Sequence, residues 1–317
     1  MSSSRMIAVN GIELFLREAG DGPLVLLCHG WPELSYSWRH QIEALAAAGF
    51  RVAAPDMRGF GQSSAPAEIS AYSIFDTVGD MVALVAALGA SKAAIVGHDW
   101  GAPVAWHAAL FRPDLFTAVA GLSVPPPFRG RGRPLDTLRS NGITNFYWQY
   151  FQTSGVAEAE LERDVGLSMR NILGRGFTEP SSLFIDADEG YLRNAQADRP
   201  LPDWLSETDL AVFVDTYRRT GFRGGLNWYR NIDRKWELTA PWQDAQIHQP
   251  SLFIAGSQDS VITGLIGAKR VAELERVLPN LKAKLIIDGA GHWIQQERPE
   301  EVNAALIAFL RQSATTG

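Results

Sequence analysis

The chain has 317 residues, 46% of them hydrophobic, which is enough for a complete buried core in one or two domains. Its 29 lysines and arginines against 35 aspartates and glutamates give a net charge of -6, which argues against a nucleic-acid partner. A single cysteine, Cys28, excludes an internal disulfide framework and any site built from several thiolates.

The N-terminal segment has no long apolar run, because Glu13, Arg17 and Glu18 interrupt each candidate. No later stretch reaches the roughly 18 apolar residues that a membrane span requires. We therefore expect a cytoplasmic protein without membrane association. The sequence leaves the oligomeric state open, with a homodimer among the options.

The first elements along the chain are extended. Residues 5–9 and 12–18 flank Asn10-Gly11, a dipeptide typical of a two-residue hairpin turn. The uniformly apolar run 24–28 then predicts a strand buried on both faces of a sheet. Similar short runs recur at 51–54, 93–96, 118–122, 251–255 and 283–287.

Helical patterns alternate with these strands. They cover residues 37–48, 74–88, 103–111, 265–278 and 299–311. This alternation predicts a mainly parallel sheet with helices on both faces. It stops between about 125 and 242, where the sequence is helical and aromatic, so we expect an inserted helical cap. The predicted domains are a core of 1–127 and 241–317 and a cap of 128–240.

The strongest local motif is Gly97-His98-Asp99-Trp100-Gly101, at the junction of a buried strand and a helix. It has the form of a nucleophile elbow, whose small flanking residues let the central side chain project above the sheet. Serine is the commoner occupant, and here the occupant is Asp99. A carboxylate is suited to displacing a leaving group at saturated carbon, which gives an alkyl ester of the enzyme.

Hydrolysis of such an ester requires a base that activates water and donors for the resulting oxyanion. His292 lies on a glycine-rich loop just after the last predicted strand and is the best candidate base. Asp259 follows the preceding strand and is placed to orient it, although an aspartate there is also a frequent helix N-cap. All three residues follow strands, where an open α/β sheet forms its site.

A second turn, His29-Gly30-Trp31-Pro32, follows the first buried strand. Glycine allows a close turn and proline favours a cis bond, so we assign this turn to the oxyanion hole. Its donors would be the backbone N–H groups of Trp31 and Trp100. The histidines show no metal-ligand spacing, and we expect neither a metal nor a cofactor.

Over nearly its whole length the chain resembles the soluble epoxide hydrolases of the α/β-hydrolase superfamily. The resemblance rests on HGWPE, DMRGFGQSS, GHDWGA and the GHW loop, and in the cap on YWQYFQ, GVAEAELE and GFRGGLNWYRN. It implies an α/β-hydrolase fold and the opening of a small apolar epoxide by water to a vicinal diol.

The resemblance also implies two cap tyrosines that donate to the epoxide oxygen, at Tyr147 and Tyr229. Phenols that stay protonated at neutral pH can stabilise the departing alkoxide. Tyr150 lies three residues after Tyr147 on nearly the same helix face and remains an alternative. The expected pocket-lining residues are Trp31, Trp100, Trp148, Phe151 and Trp293.

Two other functions remain open at this point. A haloalkane or haloacid dehalogenase shares the fold, the aspartate and the histidine, and Trp31 can serve as a second halide ligand beside Trp100. A non-catalytic relative acting as a binding module usually lacks a member of the triad, and none is missing here. A serine esterase is disfavoured because the elbow has no serine.

Overall fold

The computed structural model describes residues 3–127, 129–175, 177–178, 180–186 and 190–314. Its centre is one eight-stranded sheet in the order β1-β2-β4-β3-β5-β6-β7-β8. The strands are β1 (Ser3–Val9), β2 (Ile12–Ala19), β3 (Leu24–Cys28), β4 (Arg51–Pro55), β5 (Ala93–His98), β6 (Phe116–Leu122), β7 (Ser251–Gly256) and β8 (Leu281–Ile287). Only β2 runs antiparallel to its neighbours, so the predicted mainly parallel sheet is confirmed.

Helices cover both faces of the sheet. Those outside the region between β6 and β7 are α1 (Arg39–Ala47), α2 (Ile74–Ala87), α3 (Gly101–Phe111), α11 (Ser260–Thr263), α12 (Leu265–Ala272), α13 (Leu274–Val277), α14 (Ile294–Glu297) and α15 (Pro299–Ala314). Val25 and Leu27 of β3 belong to the core with α1 and α15, whereas Leu26 and Cys28 belong to the core with α2 and α3. Because successive strand residues face opposite ways, burial of both faces accounts for the uniformly apolar run.

The last strand departs from the prediction of a buried strand. Within β8 only Ile287 is buried, and Lys282 and Lys284 are exposed. This strand pairs with β7 alone and forms the edge of the sheet, where lysines discourage pairing with another chain. The single helix predicted over 265–278 is also wrong, because the chain forms α12 and α13 with a break at Glu273.

Between β6 and β7 the described secondary structure is helical, apart from isolated bridges that join Phe146 to Phe184 and Asp186 to Gly190. These helices are α4 (Pro134–Ser140), α5 (Tyr147–Tyr150), α6 (Val156–Leu161), α7 (Val165–Arg175), α8 (Glu207–Thr220), α9 (Arg223–Arg230) and α10 (Ile232–Leu238). The predicted first cap boundary falls on Phe128, which lies outside the described residues. Among the helices described, none has both the length and the apolar character to cross a membrane.

Side-chain hydrogen bonds connect helix α9 and its C-cap to the segment that follows β4. The indole Nε1 of Trp228 donates to the carbonyl of Arg58 at 3.0 Å, and the amide of Asn231 donates to the carbonyl of Ile69 at 2.7 Å. The guanidinium of Arg58 is itself held by the buried carboxylate of Asp80. These contacts hold α9 above the carboxyl ends of the strands, where the candidate site lies.

Candidate active site

Asp99 occupies the sharp turn between β5 and α3. Its backbone has a φ of +48°, a left-handed conformation that is uncommon outside glycine. The turn is so tight that a Cβ added at Gly101 would lie 2.0 Å from the carbonyl oxygen of Cys28. This geometry lifts the Asp99 side chain above the sheet, where it is 14% exposed.

The structure brings Asp99, His292 and Asp259 together. The Nε2 atom of His292 lies 3.4 Å from one carboxylate oxygen of Asp99, and its Nδ1 lies 2.9 Å from Oδ2 of Asp259. The other oxygen of Asp259 accepts a hydrogen bond of 2.8 Å from the amide of Val261 and caps α11. Asp259 therefore serves both as a helix cap and as the partner of the imidazole.

The two carboxylates set the protonation of His292. Burial alone would lower the pKa of its imidazole, but the charge and hydrogen bond of Asp259, followed by those of Asp99, raise that pKa well above its ordinary value. The two neighbouring carboxylates therefore favour the protonated form of the ring.

The Trp31 turn approaches Asp99 from β3. The amide N–H of Trp31 donates to Oδ1 of Asp99 at 2.7 Å. A Cβ added at Gly30 would lie 2.2 Å from the same oxygen, so this approach requires glycine. The Trp31–Pro32 bond is cis. Trp100, whose amide directly follows Asp99, is the N-cap of α3, and its half-buried ring lies 5.0 Å from the ring of Tyr229.

Tyr147 of α5 and Tyr229 of α9 lie side by side in the site, where the charge of Asp99 acts on both. Their ring centroids are 5.7 Å apart and both side chains are buried. Burial, and then the negative charge of Asp99, raise the pKa of Tyr147. Burial, followed by Tyr147 and Asp99, raises the pKa of Tyr229 well above its ordinary value. Tyr150 instead donates to Oε2 of Glu160 at 2.5 Å.

The other predicted lining residues lie around this group. Phe151 is fully buried, with its ring 5.3 Å from Trp31 and 4.9 Å from Tyr229. Trp148 is half-buried against Tyr147. Trp293 is fully buried and packs on His292 at 4.8 Å. These side chains give the site an aromatic wall.

Tyr191 belongs to the same wall and was not predicted from the sequence. Its buried ring lies 5.1 Å from Phe151 and 6.0 Å from Trp31. Oxygens of Glu160 accept hydrogen bonds from the amides of Tyr191 and Leu192. No motif singles out this tyrosine, because it lies in an irregular segment far along the chain from its neighbours.

Hydrogen bonds from neighbouring residues hold the loop that carries His292. Its carbonyl oxygen accepts hydrogen bonds of 2.8 Å from Nε2 of His98 and from the hydroxyl of Ser123. The carboxylate of Glu297 accepts from the amides of Gly291 at 2.6 Å and Trp293 at 2.8 Å, on either side of His292. These contacts fix the height of the imidazole above the sheet.

His98 is in turn held by Glu33. Oε2 of Glu33 lies 2.6 Å from Nδ1 of His98, and both side chains are fully buried. Burial would raise the pKa of Glu33, but the charge and hydrogen bond of His98 outweigh it and lower the pKa to about 2. Gln295 and Gln296 donate to the other oxygen of Glu33. Sequence reasoning gave Glu33 and His98 no role, because these contacts are non-local.

A polar clamp, formed by Arg230, Gln152 and Glu158, joins the two tyrosine helices. The guanidinium of Arg230 donates to the carbonyl of Phe151 at 3.1 Å and forms an ion pair of 2.8 Å with Glu158. Gln152 donates to the carbonyls of Trp148 at 2.7 Å and Tyr229 at 3.1 Å. The clamp fixes the separation between Tyr147 and Tyr229.

We expect Arg230→Met to lower kcat by about tenfold or more, because small misplacements of positioning groups are costly. The change also removes the ion-pair partner of Glu158, whose half-buried carboxylate keeps the hydrogen bond from the amide of Gly155, so we expect stability to fall as well. The double variant Arg230→Met/Glu158→Gln removes that charge and should recover thermal stability without recovering kcat. Recovery of both quantities together would show that the clamp is only structural. Thermal unfolding and steady-state kinetics measure the two effects.

In the part of the chain that the structure describes, no group of three or more histidine, cysteine, aspartate or glutamate side chains is arranged to hold a metal ion. The nucleophile Asp99, the acid Asp259 and the histidine His292 follow three strands of the sheet in chain order. This order defines a site of the α/β-hydrolase type.

Comparisons with known proteins agree with this class. Residues 23–299 match the family model described as alpha/beta hydrolase fold. Epoxide hydrolase A of Mycobacterium tuberculosis is 46% identical over 97% of both chains, and an epoxide hydrolase of Caballeronia sordidicola is 42% identical over 96% of this chain and 92% of its own. The chain belongs to the epoxide hydrolases of the α/β-hydrolase superfamily.

Solved structures give the same result. The crystal structure of epoxide hydrolase A from Mycobacterium thermoresistibile is 47% identical, with a TM-score of 0.93 over 98% of both chains. An epoxide hydrolase from an endophytic Streptomyces is 46% identical, with a TM-score of 0.94 over 98% of this chain and 95% of its own. The expected fold and family are thus both confirmed.

Proposed function

We propose that this protein converts an epoxide and water to a vicinal diol through a covalent ester on Asp99. The observation that carries the proposal is the Asp99 carboxylate 3.4 Å from His292, together with two adjacent buried phenols, Tyr147 and Tyr229, whose pKa values its charge raises. The carboxylate supplies a nucleophile for saturated carbon, and the phenols supply donors for the ring oxygen. The named relatives support the same reaction.

In the first step, an oxygen of Asp99 attacks an epoxide carbon, the carbon–oxygen bond of the ring breaks, and an alkoxide develops. Tyr147 and Tyr229 donate hydrogen bonds to that oxygen. Their raised pKa values keep both phenols protonated at neutral pH, so they are donors when the ring opens. The alkoxide, a strong base, takes a proton from a phenol and becomes the hydroxyl of a hydroxyalkyl ester on Asp99, and the phenol recovers its proton from the His292 imidazolium.

In the second step, His292 takes a proton from water, which attacks the ester carbonyl of Asp99. The amides of Trp31 and Trp100 stabilise the oxyanion that forms there. The 2.7 Å hydrogen bond from the Trp31 amide to Asp99 in the free enzyme supports this role. Asp259 holds the imidazole in the tautomer that accepts a proton on Nε2. Collapse of the intermediate releases the diol and regenerates the carboxylate.

Ester formation itself changes the protonation of His292. The carboxylates of Asp259 and Asp99 both raise the pKa of His292, and esterification removes the charge of Asp99. The pKa therefore falls when the ester forms, and the imidazole becomes a base at the step that needs one.

An Asp99→Asn variant imitates the loss of that charge. We expect the pKa of His292 to be lower in this variant than in the wild type, because one of its two anionic neighbours is gone. NMR titration of the His292 ring, assigned by comparison with His292→Gln, measures both values. Equal pKa values would contradict the coupling between ester formation and base activation.

We also propose that the helical segment between β6 and β7 acts as a cap over Asp99 and that the bound epoxide is apolar. The aromatic side chains of Trp31, Phe151 and Tyr191 support this, since such walls favour apolar ligands. The two phenols favour epoxide over halide as the leaving group, because halide needs no proton donor.

Product analysis tests the proposal against the dehalogenase alternative. The purified protein should release phenylethanediol from styrene oxide and no bromide from 1-bromobutane. Bromide without diol would favour the dehalogenase, whose halide Trp31 and Trp100 would bind. Neither product, from protein that unfolds cooperatively, would favour a non-catalytic relative.

A further inference from the structure

The hydroxyl groups of the seven tyrosines fall into two sets. Four of them donate to a carboxylate or carbonyl oxygen of the protein, as most buried phenols do. Among the residues that the structure describes, the hydroxyls of the other three have no such acceptor. Two of these three are Tyr147 and Tyr229, the proposed donors to the epoxide oxygen, and the third is Tyr191, which has no assigned role. The four bonded tyrosines are Tyr36, Tyr72, Tyr150 and Tyr217.

Tyr191 lies in the same aromatic wall as the two proposed donors. Its ring is 6.3 Å from the ring of Tyr147 and 5.1 Å from that of Phe151. Only 8% of the residue is exposed. The carboxylate of Glu160 accepts a hydrogen bond from the backbone amide of Tyr191 at 3.2 Å. The phenol is therefore buried and held in place at the edge of the site.

A small cavity adjoins Tyr191. Its volume is about 20 Å³, which is room for about one water molecule, and Phe177 and Arg175 also line it. The ring of Phe177 in turn packs against the ring of His292 at 5.3 Å. The cavity therefore lies directly behind the wall of the site, and it leaves space for a small polar group beside Tyr191.

The phenol of Tyr191 is protonated and is therefore a donor. Burial, and then the neighbouring Tyr147, raise its pKa well above the ordinary value, although the charge of Arg175 opposes this change. The charge of Asp99 raises the same pKa, as it does for the two proposed donors. Leaving a buried donor unpaired is costly, so a ligand or water must supply the acceptor that the protein does not.

We propose that Tyr191 determines substrate specificity by donating a hydrogen bond to a substrate oxygen that lies one carbon away from the epoxide. The preferred substrates are then glycidyl ethers rather than epoxides with a hydrocarbon chain of equal length. This inference rests on the proposed function and adds the substrate class to it. Tyr147 and Tyr229 already serve the ring oxygen. The 6.3 Å between the rings of Tyr147 and Tyr191 places the third donor beside that oxygen.

Two substrates that differ at one position test the proposal. Phenyl glycidyl ether carries the additional oxygen, and 4-phenyl-1,2-epoxybutane has a methylene group in its place. The quantity compared is the ratio of kcat/KM for the ether to kcat/KM for the hydrocarbon. Tyr191→Phe should lower this ratio by about threefold to tenfold, which is the effect of one net hydrogen bond. The intrinsic reactivities of the two epoxides cancel, because they are the same for every protein variant.

Tyr72→Phe is the matched control. Tyr72 is also buried, but its hydroxyl donates to the carbonyl of Pro66 at 2.9 Å. Its ratio should equal that of the wild type. Because both substrates are assayed with the same protein sample, any loss of folded enzyme cancels. Tyr191→Leu also lacks the hydroxyl and should lower the ratio as well, so the result does not depend on the folding of one variant.

An equal ratio in the wild type and in both Tyr191 variants would overturn the inference, and so would a fall of the same size in Tyr72→Phe. If Tyr191 helped to hold the ring oxygen instead, both substrates would slow alike and the ratio would stay constant. Diol formation from the hydrocarbon epoxide upholds the proposed function in either case. If the wild type yields no diol from either substrate, the proposed function itself fails.

Discussion

A His292→Gln variant should form the alkyl ester on Asp99 and then stop. The attack on the epoxide needs the carboxylate and the phenols, whereas hydrolysis of the ester needs the imidazole that lies 3.4 Å from Asp99. Steady-state turnover should fall by about 1,000-fold, within the range for loss of a general base. Mass spectrometry of the peptide that contains Asp99 should detect the added mass of one substrate molecule.

The control for this variant is His248→Gln, which changes an exposed histidine far from the site in the same way. It should turn over normally and show no adduct. Thermal unfolding of both variants checks that His292→Gln retains its fold, since His292 is buried. A folded His292→Gln protein that carries no adduct after single turnover would contradict the two-step scheme.

The double variant Tyr147→Phe/Tyr229→Phe should lose about 100-fold or more of its epoxide turnover, because both donors to the departing oxygen are removed. The effect belongs to the first step, so ester formation should slow. Stopped-flow tryptophan fluorescence can follow that step directly, since the chain has 10 tryptophans and Trp31 and Trp100 lie beside Tyr229. Ester hydrolysis should change much less.

Tyr150→Phe is the matched control. This hydroxyl is bonded to Glu160, away from Asp99, so its removal should change ester formation by far less than the double variant does. If Tyr150→Phe proved as damaging as Tyr147→Phe, the first donor would have to be reassigned. Unchanged turnover in the double variant would remove both phenols from the mechanism.

The sequence was most informative where chemistry follows strand ends. Asp99, Asp259 and His292 come after β5, β7 and β8, and parallel strands bring such positions to one edge of the sheet. Their order and glycine-rich surroundings were therefore sufficient to predict that they meet. The same argument placed the Trp31 turn, which follows β3.

Contacts between residues far apart along the chain could not be predicted from the sequence. Tyr147 and Tyr150 lie on nearly the same face of a helix, and only the hydrogen bond from Tyr150 to Glu160 distinguishes them. Glu33 and Gln295 meet although 262 positions separate them, and no local pattern encodes that contact. The exposure of β8 depends on strand order, which the apolar pattern alone does not determine.

Hydrolysis in oxygen-18 water, with enzyme in excess over substrate, tests most directly whether Asp99 is the nucleophile. If water attacks the ester carbonyl, the first diol contains only unlabelled oxygen, one atom from the epoxide and one from Asp99. The label should then appear in the peptide that contains Asp99. Label in the diol of the first turnover, with Asp99 unlabelled, would contradict the covalent mechanism.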